Sequence, residues 1–267
     1  MPTLRELAEY HKPTEVAEAM RLLRRTGVRT VPIAGGTSLV PSAARDVEAV
    51  VDLGALGLSY VKTSEGLEIG ATTTLQAIAD HQDVRTFANG VLVKAIRDEA
   101  SRNVREAATL GGSIVSATGN SPLYTALLAL DARLTVRRAR STRDVVTSLA
   151  YWMPQPHTLI LRVTLPALPD QTHAAYEKVA RTPADRPIVC VVARATARDG
   201  KLNSVRLALG GVGGLPIVIT KSHCTTEQAV RLASAAIDPP SDYFATASYR
   251  REMIGVLVRR LLSNLAR

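Results

Sequence analysis

Cysteine is almost missing from this chain. Cys190 and Cys224 are the only two, far apart, in neither a Cys-x-x-Cys pair nor histidine spacing. That excludes a disulfide framework and leaves an iron–sulfur cluster or a zinc ion without ligands. Long apolar runs are missing too. None reaches the length that crosses a membrane, and Met1-Pro2-Thr3-Leu4-Arg5 has no apolar segment of a secretory signal. The expectation is a soluble, cytoplasmic protein with no transmembrane segment. Aromatic residues make up only 4% of the sequence. This scarcity matters because the net charge is +9, with basic clusters at Arg137-Arg138-Ala139-Arg140 and Arg259-Arg260. Nucleic-acid binding pairs such patches with stacking rings, and no recognised nucleic-acid motif is present. The arginines read as solvated helix faces or a partner-docking surface, with no nucleic acid.

What the chain has is apolar content, 46% over 267 residues, more than one compact core holds. Two or three subdomains are expected. The organising stretch is Val31-Pro32-Ile33-Ala34-Gly35-Gly36-Thr37-Ser38-Leu39-Val40-Pro41. A β-branched apolar run feeds two glycines and two hydroxyl residues. A glycine pair lets the backbone turn sharply and align consecutive N–H groups into an anion-binding nest. Alone, such a pair is a tight turn after a strand. Thr109-Leu110-Gly111-Gly112-Ser113 repeats the pattern, and two nests suit the two phosphates of one pyrophosphate.

In chain order, 13–23 reads as a helix with Thr14 as N-cap and Gly27 as stop. Strands at 30–33 and 48–53 then flank the first glycine pair as a small β-α-β-like unit. A hairpin is expected from 60–62 and 67–69, and Thr74 caps a helix through Asp80. A buried helix covers 91–100. Ser121-Pro122 opens an apolar helix, with proline at an early helical position. Strands follow at 133–137 and 158–165. Pro166-Ala167-Leu168-Pro169-Asp170 reads as a domain boundary. Beyond it come three strands at 174–180, 188–196 and 203–210, with Asp199-Gly200 turning between the last two, and helices at 227–236 and 243–265. The fold class is α+β, with a three-stranded antiparallel sheet and helices at the C-terminal end. Boundaries fall at 1–56, 57–168 and 172–267.

These residues resemble the flavin-binding medium subunit of molybdenum hydroxylases, the carbon monoxide dehydrogenase and xanthine dehydrogenase family. Ala34-Gly35-Gly36-Thr37-Ser38-Leu39-Val40-Pro41 is similar to its first flavin loop. Arg102-Asn103-Val104-Arg105-Glu106-Ala107-Ala108-Thr109-Leu110-Gly111-Gly112 is similar to its second, and Ala126-Leu127-Leu128-Ala129-Leu130-Asp131-Ala132 to the helix after it. Tyr176-Glu177-Lys178-Val179-Ala180-Arg181, Leu207-Ala208-Leu209-Gly210-Gly211-Val212-Gly213 and Tyr249-Arg250-Arg251 continue the match. Order and spacing together make it specific.

The resemblance implies a two-subdomain FAD-binding fold of the PCMH/vanillyl-alcohol-oxidase type with a C-terminal domain beside it. It implies that Ala34, Gly35, Gly36, Thr37, Ser38 and Leu39 hold the pyrophosphate. Thr109, Gly111, Gly112 and Ser113 hold it from the other side, Leu161 lies near the adenine or ribose, and Lys178 reaches the flavin. No residue need do acid–base chemistry. The implied partners are an iron–sulfur small subunit and a molybdopterin large subunit, in a dimer of heterotrimers. Electrons pass from molybdenum through the clusters to FAD and on to an external acceptor. The chain departs from the family twice. Ser113 replaces an asparagine, and Pro122 replaces an aspartate that accepts hydrogen bonds from the flavin's sugar chain. A flavin-free docking subunit of the same fold and a stand-alone flavin reductase are the alternatives.

Overall fold

The computed structural model describes residues 7–42, 46–138, 141–198 and 201–265. The chain opens with β1 (Glu9–His11), α1 (Val16–Leu23), β2 (Thr30–Ile33), β3 (Ala49–Asp52), β4 (Val61–Ser64) and β5 (Gly66–Gly70). Six helices follow: α2 (Leu75–Asp80), α3 (Gln82–Thr86), α4 (Val91–Glu99), α5 (Arg102–Ala107), α6 (Leu110–Val115) and α7 (Pro122–Ala129). Strands β6 (Arg133–Arg138), β7 (Asp144–Ser148), β8 (Thr158–Pro166) and β9 (Thr172–Val179) come next. The last elements are β10 (Val189–Arg198), β11 (Lys201–Gly210), β12 (Ile217–Cys224), α8 (Thr226–Ala235) and α9 (Ala247–Leu265). Two compact units result, each built from three separate stretches. The first takes the described residues of Met1–Ile78, Arg102–Ser116 and Arg133–Thr164; the second takes Ala79–Ser101, Ala117–Ala132 and the described part of Leu165–Arg267.

The first unit holds two sheets. In the smaller, β3 lies between β1 and β2, with all pairs parallel. Central β3 buries Ala49, Val50 and Val51, whereas Pro32, which has no N–H to donate, sits on edge strand β2. Helix α1 turns Ala19, Met20, Leu22 and Leu23 onto Val51, Leu56, Leu159 and Leu161. Its ends differ from expectation. The helix starts at Val16 with Glu15 in the N-cap position and no side-chain cap bond, so Thr14 lies one residue too early to serve. It closes at Arg24, and Gly27, at φ +79°, belongs to the turn into β2. The second sheet runs β4-β5-β8-β6-β7, and the β4/β5 hairpin falls where the sequence puts it. Edge strand β7, not expected from the sequence, buries none of its residues, and its sequence Asp144-Val145-Val146-Thr147-Ser148 has no apolar alternation.

The second unit is organised by a four-stranded antiparallel sheet, β12-β11-β10-β9. This corrects the three-stranded expectation. The missed strand is β12, an edge strand with only Cys224 buried and little alternation to betray it. The Asp199-Gly200 turn lies outside the described residues. The middle strand β10 buries Val189, Cys190, Val191, Val192 and Ala193 without a break, because both faces of the sheet are covered. Val191 and Ala193 pack with Leu207 and Leu209 against Ala229 and Ala233 of α8 and Ile254, Leu257, Leu261 and Leu262 of α9. On the other face α7 meets β10 and β11, and α4 packs beside α7. The first turn of α8 is fixed by a reciprocal Thr225/Gln228 capping box. Buried Arg250 ties α9 down, donating to the carbonyls of Ile188 (2.6 Å) and Gly211 (3.2 Å) and to both Asp242 carboxylate oxygens (2.7 Å each). The Arg250 guanidinium holds the Asp242 carboxyl below the usual carboxylate range. Arg259 and Arg260, part of the basic excess, face Glu227 (3.3 Å) and Glu177 (2.9 Å).

Candidate functional site

A cleft of about 570 Å³ opens in the first unit, within the size range of cofactor sites. Strand β2 and the loop leaving it form one part of the lining; the others are Ala71 and Thr72 after β5, the start of α6, and residues 155–160. Among the described residues that line it there is no carboxylate, and Arg29 is a cation. Ala34, Gly35, Gly36, Thr37, Ser38, Leu39, Thr109, Gly111 and Gly112 all lie in this lining. Ser113 and Leu161 lie off it. Leu161 points into the α1 core while its carbonyl accepts from the Ala71 N–H (3.0 Å); Leu159 packs in the same core and, with Ile160, also lines the cleft.

The two glycines of the first loop do different work. Gly36 adopts φ +68°, the left-handed conformation that admits the sharp turn. Gly35 needs no such freedom. A Cβ there would lie 1.7 Å from the Ala107 carbonyl oxygen, so its missing side chain lets two backbones close on each other. After the pair the loop winds up, with Val40 N–H donating to Gly36 O (3.0 Å) and Ser42 N–H to Ser38 O (3.2 Å). From 34 to 39 no backbone N–H donates to a backbone acceptor among the described residues. A segment of uncommitted amides beside two exposed hydroxyls, Thr37 and Ser38, fits an anionic group.

The second glycine pair is built otherwise. Gly111 and Gly112 fall in the first turn of α6, capped by Thr109. Every amide of that turn has an acceptor within the chain. Leu110 donates to Thr73 O (3.0 Å), Gly111 to Ala71 O (2.8 Å), Gly112 to Thr109 Oγ1 (3.3 Å) and Ser113 to Thr109 O (2.9 Å). What this side offers the cleft is bare backbone surface rather than free donors. A Cβ on Gly111 would meet Ala71 at 3.1 Å, which explains the first glycine of that pair.

Sequence reasoning missed two parts of the lining. One is residues 155–158, where His157 takes φ +53°; only the Gln155-Pro156 step hinted at a turn. The other is Thr72, 8% exposed, whose buried hydroxyl has no hydrogen-bond partner.

Lys178 belongs to the second unit. Its ammonium pairs with Asp98 (3.0 Å) and donates to the carbonyls of Pro183 (2.8 Å) and Asp185 (3.4 Å), stapling the loop after β9. Asp98 also accepts from the Tyr176 hydroxyl (2.9 Å), and burial pushes the Tyr176 pKa far up. Next to it, the buried Glu99 carboxylate accepts from Ser121 Oγ (2.7 Å), Leu123 N–H (3.0 Å) and Arg186 (3.1 Å). Glu99 thus brings an acidic group to the start of α7, on either side of Pro122, where the family resemblance calls for an aspartate. The Cys190 thiol, fully buried beneath α7, is pushed up to about 12 by desolvation and stays protonated. Among the described residues, no group of three or more His, Cys, Asp or Glu converges as a metal site, and no helix is long and apolar enough to cross a membrane.

Residues 5–168 match the family described as the FAD binding domain in molybdopterin dehydrogenase, and residues 174–265 match the CO dehydrogenase flavoprotein C-terminal domain. The chain is 28% identical to the glyceraldehyde dehydrogenase medium chain of Sulfolobus acidocaldarius, covering 96% of this chain and 98% of that one. It is 26% identical to the carbon monoxide dehydrogenase medium chain of Afipia carboxidovorans, covering 94% of each. In fold it superimposes on a chain of carbon monoxide dehydrogenase from Hydrogenophaga pseudoflava with a TM-score of 0.87 at 23% identity, over 97% of both chains. The chain therefore belongs to the FAD-binding family of the molybdopterin dehydrogenases, as a flavoprotein medium subunit of an oxidoreductase of the molybdenum hydroxylase class.

Proposed function

We propose that this chain carries FAD and transfers electrons within a molybdenum hydroxylase complex, taking them from iron–sulfur clusters on a partner chain and passing them to an external acceptor. One observation carries the reading: the unit matching the FAD-binding family contains a carboxylate-free cleft edged by uncommitted amides at 34–39. When bound, the flavin supplies the redox chemistry. The chain's own residues hold and shield it. The amides from Ala34 to Ser38, with the Thr37 and Ser38 hydroxyls, donate to the pyrophosphate. The Gly111 and Gly112 backbone lets it come close, and Val115, Leu159 and Ile160 keep water from the apolar part. A dinucleotide suits this long lining better than a mononucleotide does.

The partners follow from division of labour. Two isolated cysteines cannot ligate a cluster, so the clusters sit on a small subunit and the molybdopterin on a large one. Relatives named as medium chains or as a subunit of a dehydrogenase complex support an assembly of several chains; our reading makes it a cytoplasmic dimer of heterotrimers. Heating the purified protein and chromatographing what is released tests the cofactor. FAD is expected, and recovery of FMN alone, or of no flavin from protein isolated with its native partners, overturns the reading. Mass measurement on material from the native host tests the assembly; a fully active preparation of this chain alone would refute it.

A further inference from the structure

Three threonines in succession, Thr72, Thr73 and Thr74, follow β5 and lead into α2. Two have evident structural tasks. The Thr73 hydroxyl accepts from Tyr60 N–H (2.9 Å) and donates to Tyr60 O (3.0 Å), pinning this segment to the strand before it. Thr74 Oγ1 accepts from Ala77 N–H (3.2 Å) and caps α2. Thr72 has no such task. Its backbone N–H is fixed to Leu58 O (3.0 Å), so the residue is held in place. The residue lines the cleft, and its hydroxyl is buried at the wall without a partner. Burying a hydroxyl unpaired costs free energy that an apolar residue of the same shape would avoid. Ala71, the preceding residue, accepts from Gly111 N–H, so Thr72 stands beside the glycine pair whose own amides are already used.

We infer that the Thr72 hydroxyl is a ligand-binding group, donating a hydrogen bond to a phosphate oxygen of the dinucleotide in the first unit's cleft. The inference rests on the FAD reading above and adds a side-chain donor beside the α6 turn, whose amides are already bonded. A phosphate oxygen accepts only, and a hydroxyl with no other commitment can turn its hydrogen toward it.

The test uses the full chain freed of flavin, titrated with FAD and, separately, with ADP, which carries the pyrophosphate without the flavin ring. Thr72→Val keeps the shape and removes the hydroxyl; Thr72→Ser keeps the hydroxyl. Thr72→Val is expected to weaken FAD and ADP alike, by about ten- to a hundredfold, as loss of one hydrogen bond to a charged oxygen does. Thr72→Ser should stay within about twofold of wild type on the same scale. Without ligand, the melting temperature of Thr72→Val should equal or exceed that of wild type, because an unpaired buried hydroxyl has gone. A clear fall in that melting temperature would make the hydroxyl structural and overturn the inference. So would equal affinities in wild type and Thr72→Val, with the FAD reading left standing. Loss of FAD affinity without loss of ADP affinity would overturn the phosphate assignment. A wild-type chain that binds neither ligand would take down the FAD reading itself, and this inference with it.

Discussion

The two glycine pairs look like copies in the sequence and are opposites in the structure. At 34–39 the backbone leaves an edge strand, turns at Gly36 and keeps its amides free of backbone partners. At 109–113 the same kind of sequence forms the capped first turn of a helix, with each amide already bonded inside the chain. A glycine pair therefore specifies a place where backbone comes close to something, and the surroundings decide what that is. For Gly35 it is the Ala107 carbonyl, and for Gly111 it is Ala71. Anion binding then falls to whichever segment retains donors.

This contrast can be broken by substitution. Gly35→Ala forces a methyl group onto a backbone carbonyl that has no side-chain freedom to yield, and should cost about 3 kcal/mol or more in urea unfolding, with loss of flavin. Gly36→Ala makes only ordinary contacts, with Val40 at 3.5 Å and Ile33 at 3.6 Å, but must hold φ +68°, for about 1–2 kcal/mol, with FAD affinity reduced as the loop relaxes. Thr109→Ala removes the cap of α6 and should cost about 1 kcal/mol. Gly112→Ala should be close to neutral in stability. Its Cβ would sit 3.0 Å from the Thr109 hydroxyl, and that crowding offsets a helix-propensity gain of about 1 kcal/mol. If Gly112→Ala proved as damaging as Gly35→Ala, the two pairs would be equivalent after all.

Much of this fold was legible from local signals. The β4/β5 hairpin, the capping threonine at 74, the proline-started α7 and the strands β8, β10 and β11 all follow from periodicity and turn chemistry. The strands that escaped, β1, β7 and β12, lie at sheet edges or are only three residues long, and their pattern of burial is set by pairing rather than by a core face. In the site, the first loop was readable because its glycines and hydroxyls are contiguous. Thr72 and residues 155–158 were not, because only tertiary folding brings them to the cleft. Pro122 is the instructive case. An aspartate was expected there, and the sequence could not reveal that a carboxylate from residue 99 arrives at the same helix start. Restoring the expected residue should therefore do harm: Pro122→Asp sets a second carboxylate beside buried Glu99 and should destabilise the protein by about 1–3 kcal/mol, measured as a shift of the urea midpoint. Adding Glu99→Gln should recover part of that loss.

The interleaving of the two units has a consequence for how the chain is made. Helix α7 buries every one of its residues, and it does so on strands that lie some sixty to eighty positions further along, β10 and β11. During synthesis α4 and α7 leave the ribosome long before that sheet exists. For the time needed to add the intervening residues, at roughly 5–20 per second, the apolar surface that β10 and β11 will cover stays open. The nascent chain is thus a natural client for a chaperone. A gene truncated after β8 would leave that surface permanently open, and aggregation rather than a smaller soluble domain is the outcome such a design invites.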